Sequence, residues 1–101
     1  MSMKDDVTAV RNLLSDPKHW TQRAPARTAE GNCVSTISPD AVCWCLAAAV
    51  NKTFPFDTPR NVALFNFLLL RTPDHSIVDF NDDATHDQVL AFLDAAIEAA
   101  P

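Results

Sequence analysis

One hundred and one residues make one domain, spanning residues 1–101, that can bury about 60–65% of the surface its unfolded chain exposes. The composition, 48% hydrophobic and 21% charged, is that of a globular chain, and a net charge of −5 leaves no basic excess to hold nucleic acid or an anionic membrane. A single Gly rules out Gly-rich phosphate loops, and the three cysteines, Cys33, Cys43 and Cys45, lack the even count of a secreted disulfide scaffold.

The opening MSMKDDVTAV carries two aspartates where a signal peptide needs a basic flank and an apolar stretch, so the chain reads as cytoplasmic, with reduced thiols. Residues 4–15 then place Val7, Val10, Leu13 and Leu14 at helical spacing, and Asp16-Pro17 ends the pattern. From His19 the texture turns small and polar. A β-hairpin is expected, 23–28 with 33–37, turning at Gly31, where a positive φ is needed.

Ser38-Pro39-Asp40 has the form of a helix start, and the following AVCWCLAAAV is apolar on every side, which predicts a central buried helix over 38–50. A third helix is expected from a cap at Asp57 or Thr58, with Pro59 in its first turn, to Leu70. Both apolar runs, 41–50 and 62–70, are about half the length a bilayer requires. Residues 76–80 alternate like a short strand. Thr85-His86-Asp87-Gln88 fits a capping box, opening a last helix with Val89, Phe92, Leu93, Ala96, Ile97 and Ala100 along one face. The expected fold class is therefore α+β, with about four helices, a hairpin and one further short strand.

Several of these segments occur together in a known family. The Leu-Leu-Ser-Asp-Pro helix end, Trp20-Thr21-Gln22, the Gly31 turn, Ala41-Val42-Cys43-Trp44-Cys45, Phe80-Asn81-Asp82 and Thr85-His86 resemble a family of small bacterial and phage proteins classed as a domain of unknown function. The resemblance covers about residues 7–98, and it implies a single domain without implying an activity. Members often carry Gly shortly after the second Cys, where this chain has Ala47 and Ala48.

Four sets of residues carry candidate chemistry. On a helix, Cys43 and Cys45 would point about 200° apart and could share neither a zinc ion nor a disulfide, so both are expected as core thiols. A hydrolase reading would use His86 as base with Cys45 or Asp82, although the predicted helix start places both thiols beyond the turn where a dipole lowers a thiol pKa. Asp79, Asn81 and Asp83 alternate like the opening of a calcium loop, but Ala84 and Leu90 stand where that loop needs Gly and Glu. The residues singled out for a ligand or partner are Trp20, Asn81, Asp82, Thr85 and His86, around the entry to the last helix. No cofactor motif and no metal ligand set is expected.

Charge is distributed unevenly: no Lys or Arg follows Arg71, while seven acids lie between Asp74 and Glu98. That predicts an acidic C-terminal face suited to a basic protein partner. The broad apolar coverage of the third helix suggests a homodimer. The reading favoured by the sequence is a small non-enzymatic binding or accessory module working through protein contacts, with the His86 hydrolase as the alternative.

Overall fold

A computed structural model describes residues 2–101. Among the described residues there are five α-helices and a small three-stranded sheet, so the α+β class holds with one helix more than expected. Helix α1 (Met3–Leu13) starts on the Ser2 hydroxyl, which accepts from Asp5 N at 3.1 Å, and buries Val7 and Val10. A 3-10 turn at Pro17–His19 follows, with Asp16 as its cap.

The hairpin forms as β1 (Ala26–Arg27) against β2 (Cys33–Val34), antiparallel, with Ala26 opposite Val34. Gly31 sits at φ 88°, the conformation its turn required. The next element departs from the expected helix over 38–50. Residues 38–42 are turn and coil, and β3 (Cys43–Trp44) pairs antiparallel with β1, giving the sheet order β2-β1-β3. Helix α2 begins only at Leu46 and runs to Thr53, with Cys45 as its N-cap. An all-apolar run is equally compatible with a buried strand and a buried helix, and here the free edge of β1 takes Cys43 and Trp44 first. The one further strand is therefore this one.

Helix α3 (Pro59–Leu69) is capped by the Thr58 hydroxyl, with Pro59 at its first position, as its sequence implies. The expected strand over 76–80 is instead helix α4 (Ile77–Asp83), entered through Ser76, whose hydroxyl accepts from Asp79 N at 3.2 Å. Ser76-Ile77-Val78-Asp79 has the spacing of a helix cap, and that local signal outweighs the β-branched pair inside it. Helix α5 (His86–Ala99) opens on a complete capping box between Thr85 and Gln88.

The core joins Val7, Val10 and Leu14 of the first segment to Leu46 and Val50 of α2, Leu64 and Leu68 of α3, and Val89 and Leu93 of α5. Helix α1 packs along α5, and α2 touches α1, α3 and α4. Two ion pairs among the described residues tie distant parts of the chain. Arg11 meets Asp94 at 2.9 Å, and Arg60 meets the buried Asp6 at 2.6 Å; in each, the carboxylate holds its Arg pKa above the ordinary value. Among the described residues no helix is long and apolar enough to cross a membrane.

Candidate functional site

Four of the five residues singled out from the sequence meet at one place. Helix α4 turns Asn81 inward until it is fully buried, where it joins the 20–22 segment to the start of α2. Its Oδ1 accepts from Trp20 Nε1 at 2.7 Å and from Leu46 N at 3.0 Å; its Nδ2 donates to Thr21 O at 3.1 Å. Leu46 N is one of the amides that a helix start leaves unpaired, so a side chain from α4 caps α2.

Gln22 completes the junction. Its Nε2 lies 2.6–3.1 Å from the carbonyls of Asn81, Asp82 and Ala84, covering the C-terminal end of α4. Asp82 Oδ1 accepts from Arg23 N at 2.9 Å, which holds Arg23 in the left-handed region at φ 61°. Sequence reasoning missed Gln22 and Arg23. Gln22 stands out only within the Trp20-Thr21-Gln22 run of the family resemblance and Arg23 not at all, because their partners lie about sixty residues away.

His86 lies on the other side of Trp20, with ring centroids 5.7 Å apart, and its Nε2 is 2.6 Å from Leu14 O. A carbonyl only accepts, so Nε2 carries the proton. His86 thus ties the start of α5 to the end of α1. Thr85 stands apart from the junction, its hydroxyl engaged by Gln88 N in the capping box. Asp79, Asn81 and Asp83 lie on a helix and not in a loop, and among the described residues no group of three His, Cys, Asp or Glu side chains is placed to hold a metal ion.

The cysteines differ from expectation in setting. Cys45 follows β3 in extended backbone and its sulfur accepts from Ala48 N at 3.4 Å, so it is the N-cap of α2 and stands at the dipole end. Burial nevertheless pushes its thiol pKa up; the amides of Ala48 and Ala47 act against that rise, and the charge of Asp82 adds to it. Cys43 is buried, with its sulfur 3.8 Å from Arg27 O, and Cys33 is exposed on β2. Neither buried thiol shares a hydrogen bond with His86 among the described residues.

A soluble thiol reagent should therefore label Cys33 at once, and Cys43 and Cys45 only as the chain unfolds. As the pH rises, the buried Cys45 thiol should resist ionisation beyond the ordinary thiol range. The neutral thiol is the form the fold favours, so the stability it contributes is present below that range and declines above it. Mass-resolved labelling checks this, and rapid native labelling of Cys45 at neutral pH would sink the account.

Beside the junction a cleft of about 480 Å³ opens, with Cys45, Ala47, Ala48 and Asn51 of the α2 segment on one side and Arg23, Pro25, Val78 and Asp82 among its other walls. A second, of about 420 Å³, shares Thr36 and Asn51 with it and is walled by Ile37, Lys52, Pro55 and Phe56. The model of one family covers residues 1–99, and its description is a family of unknown function, DUF6197. The chain belongs to that family. DUF6197 membership thus takes in the whole junction and both clefts. No curated protein and no solved structure matches the chain.

Proposed function

We propose that this DUF6197 protein is a non-enzymatic binding module that acts through contacts with a protein partner. The observation that carries the reading is the engagement of the chemistry-bearing side chains. Asn81, Asp82 and His86 hold α2, α4, α5 and the 20–23 segment together, and the buried Cys45 thiol is pushed up, in part by the charge of Asp82, with no hydrogen bond to Asp82 or His86 among the described residues. A nucleophile needs a base within hydrogen-bond reach, and that pairing supports the hydrolase alternative only where a thiol faces a free ring nitrogen.

The surface offers what the junction does not. Ile37 is 82% exposed and Phe56 77% exposed, and the two stand on the walls of the same cleft. Large apolar side chains set beside each other in a concave surface are what a partner's apolar anchor fills. Among the described residues, of the seven acids from Asp74 onward only Asp94 is in an ion pair, which favours a basic partner by long-range attraction.

The test is capture from extracts of the native host on immobilised protein, comparing wild type with the Ile37→Ser/Phe56→Ser double variant. Both sites are exposed, so the variant should keep its melting temperature. A basic protein retained by wild type and lost by the variant is the expected result. Equal capture by both would overturn the reading, and sedimentation of the purified chain decides whether a second copy, rather than a different protein, covers this face.

A further inference from the structure

The cleft beside α2 holds a cation and an anion that do not neutralise each other. Arg23 and Asp82 both line it, yet the bonds between them run through main-chain atoms: Arg23 N donates to Asp82 Oδ1 at 2.9 Å, and the guanidinium reaches only Asp82 O, at 3.4 Å. Among the described residues the two side chains form no ion pair. Opposite charges set apart within one concavity suit a ligand that carries both signs.

The remaining polar walls mostly donate. Asn61 Nδ2 occupies Asn51 Oδ1 at 2.9 Å, which leaves the amino group of Asn51 for the cleft. Thr36 adds a hydroxyl. Cys45 is 8% exposed, its thiol proton meets no acceptor among the described residues, and sulfur is a weak partner for the Ala48 amide it caps. Donors on Asn51 and Thr36 in the same cleft as Arg23 favour a carboxylate, and Asp82 favours an ammonium. Pro25 and Val78 supply apolar surface for a short side chain.

We propose that this cleft binds a small zwitterion of the amino-acid class, its carboxylate towards Arg23 and Asn51, its ammonium on Asp82, and a short apolar side chain against Pro25 and Val78. A volume of about 480 Å³ falls within the range of small-molecule sites and admits ligands from a free amino acid to a dipeptide. The site adjoins the Ile37 and Phe56 cleft, with which it shares Thr36 and Asn51, but Ile37 and Phe56 do not line it and it does not depend on the partner reading.

Amide proton–nitrogen correlation spectra test it, with L-alanine, L-valine, L-leucine and Ala-Val added singly and N-acetyl-L-valine methylamide as the capped control. The expected result is saturable shifts centred on Arg23, Ala47, Ala48 and Asn51 at roughly millimolar ligand, with the capped compound at least about tenfold weaker. Arg23→Gln keeps the main-chain bond to Asp82 and should weaken binding by about tenfold or more. Val78→Trp, at an exposed position, should block the cleft, while the Ile37→Ser/Phe56→Ser variant should bind as wild type does. Absence of saturable shifts with every zwitterion, equal binding of the capped compound, or unchanged binding by Arg23→Gln would overturn the proposal.

Discussion

Asn81→Leu should remove much of the protein's folding stability, since it deletes the hydrogen-bonding groups of a fully buried side chain and puts a larger one in their place. The substitution strips the partners from Trp20 Nε1, Leu46 N and Thr21 O at once. Each buried group left unpaired costs about 1–3 kcal/mol, so the sum is roughly 3 kcal/mol or more against a total of about 5–15 kcal/mol for a domain. At roughly 4–8 °C per kcal/mol, the melting temperature should fall by about 12 °C or more. Thermal unfolding followed by circular dichroism reads this directly. Hydrogen exchange adds a local measure, because the Leu46 amide should lose protection first. Asn81→Asp keeps the two acceptor contacts but sets a buried carboxylate oxygen against Thr21 O and Asp82 Oδ1, which Nδ2 now meets at 3.1 and 3.4 Å, so it too should fall well below wild type. A drop of only a few degrees in Asn81→Leu would show that the junction does not hold the fold.

His86→Ala has the next largest expected effect. It deletes the Nε2 bond to Leu14 O and the ring packed on Trp20, at a cost of about 1–3 kcal/mol for the bond alone. The melting temperature should fall by several degrees at least, on the scale of about 4–8 °C per kcal/mol. His86→Gln can place a side-chain N–H near the same carbonyl and should recover part of the loss. An unchanged melting temperature together with loss of a bound partner or ligand would overturn the structural role and make this residue part of a functional surface.

Both results would follow from one arrangement: residues whose types suggest chemistry serve as ties between segments. Trp20, Asn81, Asp82 and His86 lie together in space, whereas Thr85, grouped with them from the sequence, stands apart in its capping box. Their surroundings differ from that expectation in one respect. Asn81 lies on a helix, facing inward, instead of in an exposed turn after a strand. The acidic C-terminal half is likewise only partly free, since Asp94 is paired with Arg11 of α1 and Asp82 holds the Arg23 amide.

Elements with local instructions were legible from the residues alone. The α1 and α5 faces repeat at helical spacing, Thr58-Pro59 and the Thr85 capping box start their helices through groups within three residues, and Gly31 answers a local demand for positive φ. Such signals act within one turn and need no partner from elsewhere. Residues 41–50 carry no such instruction, because an apolar run is equally content in a strand or a helix. The free edge of β1 and the Asn81 side chain decide where strand ends and helix begins, and both arrive from distant sequence. The cleft was invisible for the same reason: Arg23, Cys45 and Asp82 become neighbours only once α4 packs on α2, and no spacing along the chain encodes a contact made by burial.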